Sequence, residues 1–291
     1  MRITTNMMVS QAVRDMNVSR RRLQELQAQI ASGKRILKPG DDPFAAEQAL
    51  GMRSVLRANE SYQRSIDLAT SWLNATEHAM ATVTDVMSRV SVLALAASND
   101  TIGQEERDAI AIEVDELLAH AVQTGNTQHQ GRYILAGFQT DAEPFSLEAD
   151  MTVTYHGDQG AIMREVCPGE TMQVNFPGDQ VFAGVYAALR NFSDALRNDP
   201  DAIEACRTEL EDAADHLAML TATVGTRVRN LCERQERLKD VDTSVREQLS
   251  KVEDIDLAEA IMHLASQENS YLALLQVAGG LPQPTLFEYL R

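Results

Sequence analysis

The stretch VSQAVRDMNVSRRRLQELQAQI, residues 9–30, has an apolar side chain at every seventh position, and LAEAIMHLASQENSYLALLQVA, residues 257–278, repeats that spacing. The two series are Val9, Met16, Leu23 and Ile30, and Leu257, Leu264, Tyr271 and Ala278. A seven-residue spacing makes a narrow apolar seam on a helix, which is buried only against a similar seam on another helix. The ends of the chain are therefore predicted to be helices that need partners, which is more typical of an assembly component than of an enzyme. The candidate assembly residues are Val9, Met16, Leu23, Ile30, Leu257, Ile261, Leu264, Tyr271 and Leu275.

Charge limits the possible partners. The 291 residues have a formal net charge of −17, and because a phosphate backbone would repel such a surface, nucleic-acid binding is not expected. Residues 1–40 hold eight basic side chains against two acidic ones, whereas residues 251–291 hold six acidic against two basic. Pairing of the two end helices would therefore be favoured by charge as well as by apolar contact.

The rest of the chain predicts long helices around a small insert. A first helix is expected over residues 7–33 and a second from Pro43 to Ala97, with Asp42 as its N-cap. The longest seam runs from Ile203 to Val252, and fifty helical residues span roughly 75 Å. The predicted fold is mainly α, an elongated rod of long antiparallel helices built from both halves of the chain. Because Gly and Pro split short β-compatible runs over residues 131–181, that segment is predicted to be a small β-rich domain protruding at the distal end.

These patterns predict a discontinuous domain organisation. Residues 1–40 and 250–291 are expected to be terminal coiled-coil segments for polymerisation, and residues 41–130 and 182–249 the helical rod. The third helix, with a capping box at Thr101 and Gln104, is expected to bury Ile110, Val114, Leu117 and Ala121. The fourth is expected to bury Phe182, Val185, Leu189, Phe192 and Leu196.

Catalytic and ligand-binding patterns are not evident in the sequence. The three cysteines form no CxxC motif, and the six histidines never occur as HxxxH or HxxE, so neither a metal nor a cofactor is expected. Asp41 and Asp42 are interpreted as caps, and His156-Gly157-Asp158 as a turn. No run of about 18 apolar residues and no signal-peptide block occurs, so membrane insertion is not expected and the protein is cytosolic unless another route exports it.

Several motifs resemble those of one known family. Residues 29–36, QIASGKRI, followed by Pro39, Asp41, Asp42, Pro43, Ala46, Ala49 and Arg53, resemble the N-terminal motif of the bacterial flagellin superfamily. Residues 254–260, DIDLAEA, resemble the matching terminal helix. Residues 131–138, GRYILAGF, the turn at residues 155–158, YHGD, and residues 286–290, LFEYL, are similar to the branch of the superfamily found at the junction between hook and filament.

The resemblance implies a structural role outside the cell. Such a protein would be exported through the flagellar type III apparatus with an export chaperone, without a cleaved signal peptide. It would then form a ring of its own copies between a hook-side junction protein of the FlgK type and the flagellin filament. The terminal seams would lack partners in the monomer and become ordered on assembly, so residues 1–40 and 250–291 are expected to be protease-sensitive in the isolated chain.

Other functions fit part of the sequence. Flagellin, the filament subunit, shares the terminal motifs. A cytoplasmic coiled-coil scaffold would explain the seams and the acidity but not the β insert. An enzyme carried on a helical stem would place its active site in the insert, where His156 or Asp158 would be required.

Overall fold

The computed structural model describes residues 5–99 and 102–279. Its helices are α1 (Thr5–Ser32), α2 (Pro43–Ala97), α3 (Gln104–Gly125), α4 (Gly178–Asn198), α5 (Ile203–Glu253) and α6 (Leu257–Gly279). Its strands are β1 (Gln128–His129), β2 (Arg132–Tyr133), β3 (Phe145–Leu147), β4 (Val153–Tyr155), β5 (Met163–Cys167) and β6 (Glu170–Gln173). The predicted fold class, mainly α with a small β-rich insert, is confirmed.

The chain divides into two compact units. The first contains the described residues up to Ala58 and from Val241 onward, and the second contains Asn59 to Asp240. The first unit thus joins segments that are far apart in sequence. The predicted boundaries at residues 40, 130, 182 and 250 remain a prediction.

The helix starts follow from local capping. At the start of α2 the Ala45 N–H donates to Asp42 Oδ1 at 3.1 Å, which is the predicted N-cap. The predicted cap residue of α3, Thr101, lies outside the described residues. That helix begins instead after Gly103, whose N–H donates to Glu106 Oε2 at 3.3 Å, so the acidic half of a capping box is supplied by Glu106 rather than Gln104.

The core of the second unit confirms the long seams. Two series of α2 residues at seven-residue spacing are all buried: Ile66, Leu73, Met80, Met87 and Ala94, and Ala69, Thr76, Val83, Val90 and Ala97. From α5, the seam residues Ile203, Leu210, Leu217, Val224, Leu231 and Leu238 join the same core. In α4 all five predicted residues are buried. In α3, Val114 and Ala121 are buried as predicted, whereas Ile110 and Leu117 are only partly buried and their neighbours Ala111 and Leu118 are fully buried.

The β insert consists of three antiparallel strand pairs, β1–β2, β3–β4 and β5–β6. Phe145 on β3 lies opposite Tyr155 on β4, and Cys167 lies opposite Glu170 beside an irregularity in the β5–β6 register. The β-compatible run Tyr133 to Leu135 is a strand only at its first residue. Ile134 and Leu135 leave the strand and are buried in a turn, because apolar runs alone do not distinguish a buried strand from a buried turn.

Within residues 5–99 and 102–279, one helix meets the length and hydropathy criteria for a membrane span. The stretch lies within α2, between Pro43 and Ala97, and 44% of it is buried inside the protein. Because the same helix supplies core residues to the second unit, this is weak evidence for a membrane segment.

Gly225 provides a test of the continuity of α5. It lies inside the helix, and a methyl group at this position would have no heavy atom within 4 Å. We expect Gly225→Ala to raise the free energy of unfolding by about 0.5 to 1 kcal/mol, because alanine loses less backbone entropy in a helix. Urea unfolding followed by circular dichroism measures this change, and a destabilised variant would show that the helix is not continuous through residue 225.

Candidate assembly interface

The first and last described helices pack on each other. In the first unit, α1 and α6 run antiparallel: Lys34 forms a β-bridge with Asp254 at one end, and further along Gln267 Nε2 donates to Ser19 Oγ at 2.9 Å. The two seams thus have partners within one chain. This differs from the expectation that they lack partners in the monomer, because a heptad pattern does not specify whether the partner helix belongs to the same chain.

The contacting faces contain two rows on each helix. Residues with reduced exposure alternate at spacings of four and three, which is the heptad pattern of a coiled coil. On α1 they are Ala12, Met16, Ser19, Leu23, Leu26 and Ile30, and on α6 they are Ala260, Leu264, Gln267, Tyr271, Leu274 and Ala278. Counting only every seventh residue misses Ala12, Ser19 and Leu26 and their counterparts on α6. A search at an offset of three or four would have found them.

The nine candidate assembly residues fall into two groups. Those on the faces that pack together within the chain are Met16, Leu23, Ile30, Leu264 and Tyr271. Those that are exposed are Val9, at 38%, Leu257, at 51%, Ile261, at 55%, and Leu275, at 39%. Their role in contacts between copies remains a prediction, and Leu286 to Leu290 lie outside the described residues.

The exposed group belongs to a second apolar face on α6. Leu257, Ile261, Leu272 and Leu275 recur at helical spacing and are displaced by roughly a quarter turn from the face that packs on α1. Leu272 is 59% exposed. Exposed apolar rows of this kind mark protein interaction sites more often than isolated surface leucines do. The first unit therefore presents an uncovered apolar surface after its internal pairing is complete.

The motif residues that follow α1 are hydrogen-bonded to the residues between α5 and α6. We call this contact between residues 33–35 and 252–255 the joint. Gly33 ends α1 with φ +70°, a conformation that suits glycine. The Arg35 N–H then donates to the Glu253 carbonyl oxygen at 2.7 Å, and the Ile255 N–H donates to the Gly33 carbonyl oxygen at 3.1 Å. Arg35 also donates from its guanidinium to the Val252 carbonyl oxygen at 2.9 Å. These bonds fasten the N-terminal motif to the C-terminal one.

The Glu253 carboxylate is the electrostatic centre of this joint. Its side chain is only 6% exposed, and it accepts hydrogen bonds from Lys34 Nζ at 3.0 Å and from the Arg53 guanidinium. Nearby, Asp41 Oδ2 accepts the N–H groups of Leu37 and Lys38 at 3.1 and 2.9 Å. The interpretation as a cap is confirmed for Asp42, whereas Asp41 closes the turn that precedes α2 and does not cap a helix.

Removing the positive charges of the joint should destabilise the first unit more than removing its negative charge. Removing both cations, Lys34→Ala with Arg53→Ala, should destabilise the first unit by about 3 kcal/mol or more, because a buried carboxylate is left unpaired. Glu253→Ala should cost less, since Lys34 and Arg53 are 39% and 46% exposed and can turn toward water. Hydrogen exchange of the α1 and α6 amides measures both changes. Equal losses would contradict the assignment of Glu253 as the buried partner.

The motifs of the β insert interlock around Asp158. Its Oδ1 accepts the N–H groups of Phe138 at 2.7 Å and Gly160 at 2.8 Å. Tyr155 donates its hydroxyl to the carbonyl oxygens of Leu135 at 2.9 Å and Asp158 at 3.0 Å, and burial raises the pKa of this hydroxyl to about 12. Gly137 has φ +70° and lies against Asp158. Asp158 is thus used to hold two turns together.

The His156 side chain lies beside Ser146, and a histidine next to a serine resembles part of a catalytic site. Its Nε2 lies 2.8 Å from Ser146 Oγ, on adjacent strands β3 and β4. Asp158 accepts two backbone N–H groups at Oδ1 and forms no hydrogen bond with His156 in the described part of the chain, so these residues are not arranged as a triad. Among residues 5–99 and 102–279, no group of three His, Cys, Asp or Glu side chains is arranged to hold a metal ion.

Comparison with known proteins shows which class of protein this chain is similar to. The model of the bacterial flagellin N-terminal helical region matches residues 3–140, which include α1, the joint motif and α2. The resemblance to the bacterial flagellin superfamily is confirmed.

The chain is similar over nearly its whole length to flagellar hook-associated protein 3. It is 24% identical to the protein of Salmonella typhimurium, over 96% of this chain and 98% of the relative. It is 26% identical to that of Escherichia coli, over 88% of this chain and 82% of the relative. The fold is similar to that of the flagellar junction protein FlgL of Legionella pneumophila, with a TM-score of 0.61, 13% identity, and coverage of 70% of this chain and 100% of that one.

Flagellins are more distant relatives. Flagellin FlaB2 of Treponema pallidum is 25% identical over 73% of this chain and 77% of the relative. The relatives that match nearly the whole chain are structural components of the bacterial flagellum, an extracellular appendage.

Proposed function

We propose that this protein is a structural junction component of the bacterial flagellum, forming a ring that connects the hook side to the flagellin filament. The observation that carries the proposal is the match to flagellar hook-associated protein 3 over 96% of the chain, including both terminal helices. Its partners are other copies of itself, flagellin and a hook-side junction protein of the FlgK type. It acts without catalysis and without a cofactor.

The arrangement of α1 and α6 supports assembly through the ends of the chain. Their paired faces build one helical module from both ends, and the exposed row Leu257, Ile261, Leu272 and Leu275 remains available for contact with a neighbour. Since apolar contact supplies most association free energy, this row is a suitable surface for ring formation. The protein reaches its site by export through the flagellar type III apparatus with an export chaperone, without a cleaved signal peptide.

Immunogold labelling of purified appendages tests the location. A narrow band at the boundary between hook and filament is the expected result. Label along the whole filament would instead indicate a flagellin, and appendages without label would contradict both functions. A seeding experiment gives an independent measure: purified protein added to isolated hooks should cap their ends and stop, whereas a flagellin continues to polymerise.

A further inference from the structure

A groove beside the joint of the first unit has the features of a binding site. Its volume is about 260 Å³, slightly below the ~300 to 1,000 Å³ of small-molecule pockets, so it suits one or two side chains of a peptide better than a metabolite. Leu37, Pro39 and Leu50 form apolar parts of its lining, and Lys34, Lys38 and Arg53 contribute cationic groups. Leu37 and Leu50 are 40% and 56% exposed. The groove is thus open, apolar and bordered by positive charge.

An unsatisfied acceptor lies in the same groove. Glu253 lines it and is 4% exposed as a residue, and its Oε2 is buried without a hydrogen-bond partner among the described residues. Lys34 and Arg53 both contact the other oxygen, Oε1. A buried acceptor without a donor costs about 1 to 3 kcal/mol, which a ligand with an N–H or O–H group would recover. The preferred occupant is therefore an apolar group that carries a donor.

We propose that the groove binds residues 286–290, Leu-Phe-Glu-Tyr-Leu, of a second copy of this chain. The Tyr289 hydroxyl donates to Glu253 Oε2, and Phe287 packs on the apolar lining. Glu288 lies near the cationic border. The segment combines, in five residues, the apolar, donor and acidic groups that complement the groove.

Geometry favours a second copy over the same chain. Because α1 and α6 are antiparallel, Gly279 at the end of α6 lies far from the joint, and the 23 residues of α6 span about 35 Å. The ten residues from Gly279 to Tyr289 reach at most about 36 Å when fully extended. The segment of the same chain is therefore at the limit of its reach, since it would have to run straight back along the whole length of α6. A neighbouring copy can supply it, and the contact then adds a specific link to the proposed ring.

A peptide titration tests the site directly. A fluorescent peptide of residues 280–291 is titrated against the full-length protein, and binding is followed by anisotropy. Saturable binding is expected, and the Tyr289→Phe peptide, which lacks only the donor, should bind about tenfold more weakly or worse. In the protein, Leu50→Asp in the groove should weaken binding of the wild-type peptide, whereas Leu68→Asp, at an exposed position on the same helix outside the groove, should leave it unchanged.

The possible results separate this inference from the proposed function. Absent or non-saturable binding, equal affinity of the Tyr289→Phe peptide, or equal effects of Leu50→Asp and Leu68→Asp would each overturn the assignment of the groove. The inference rests on the proposed function only in that copies meet in a ring, and the titration requires no hook. Binding by a protein that does not label flagella would therefore overturn the function and leave the groove assignment standing.

Discussion

A strain whose only copy of this protein carries Leu23→Asp should not swim. Leu23 is 9% exposed on the face of α1 that packs on α6. An aspartate there must either be buried as an unpaired charge or force the helices apart, at a cost of at least about 2 to 3 kcal/mol. That cost lowers the paired population about 30- to 150-fold. Swimming in soft agar and the fraction of hooks that bear filaments are the measurements.

The adjacent residue provides the control. Gln24 is exposed on the same helix, so Gln24→Asp adds the same charge one position away without burying it. This variant should swim like the wild type. Leu264→Asp, on the facing row of α6, should reproduce the defect of Leu23→Asp. Normal motility of either seam variant would mean that the pairing of the two ends is not required for assembly.

The second large effect is expected at Gly137. Its φ of +70° costs a residue with a side chain about 1 to 2 kcal/mol, and an added Cβ would overlap the side chain and backbone of Asp158. Moving Asp158 would break its bonds to the N–H groups of Phe138 and Gly160. We therefore expect Gly137→Ala to lower the free energy of unfolding by about 3 kcal/mol or more.

The same substitution at Gly225 should change the free energy of unfolding in the opposite direction. Gly225→Ala also adds one methyl group, but in a helix with open space around it, and should be stabilising. Urea unfolding of both variants, compared with the wild type, gives a matched pair. If Gly137→Ala were as stable as the wild type, the interlocking of the two turns through Asp158 would be wrong.

The long helices were predictable because their signal is redundant. The α2 seam from Ile66 to Ala97 repeats over many turns, so a single ambiguous residue does not change the interpretation. Helix ends were also predictable where a single residue decides them, as at Gly33 and Asp42. The two errors in α3 arose because both members of an adjacent pair are apolar there, Ile110 with Ala111 and Leu117 with Leu118, so that periodicity does not decide which member is buried.

The joint could not be predicted to the same degree. Glu253 looks like an ordinary acidic residue near a helix end, and its importance depends on Lys34 and Arg53, which are about 200 residues away. Periodicity describes contacts within a helix or along its seam, whereas contacts of this kind depend on tertiary placement. The resemblance indicated that the motif residues matter, but the structure shows what they contact.

The antiparallel pairing of α1 with α6 also has a consequence during synthesis. After Ser32 is made, 225 more residues precede the completion of Leu257, the first residue of the partner helix. At a synthesis rate of about 5 to 20 residues per second, the apolar side of α1 remains without its partner helix for roughly 10 to 50 s. During that interval the apolar side of α1 is exposed to other proteins in the cell. A truncated chain that ends before α6 would keep this side exposed and prone to aggregation.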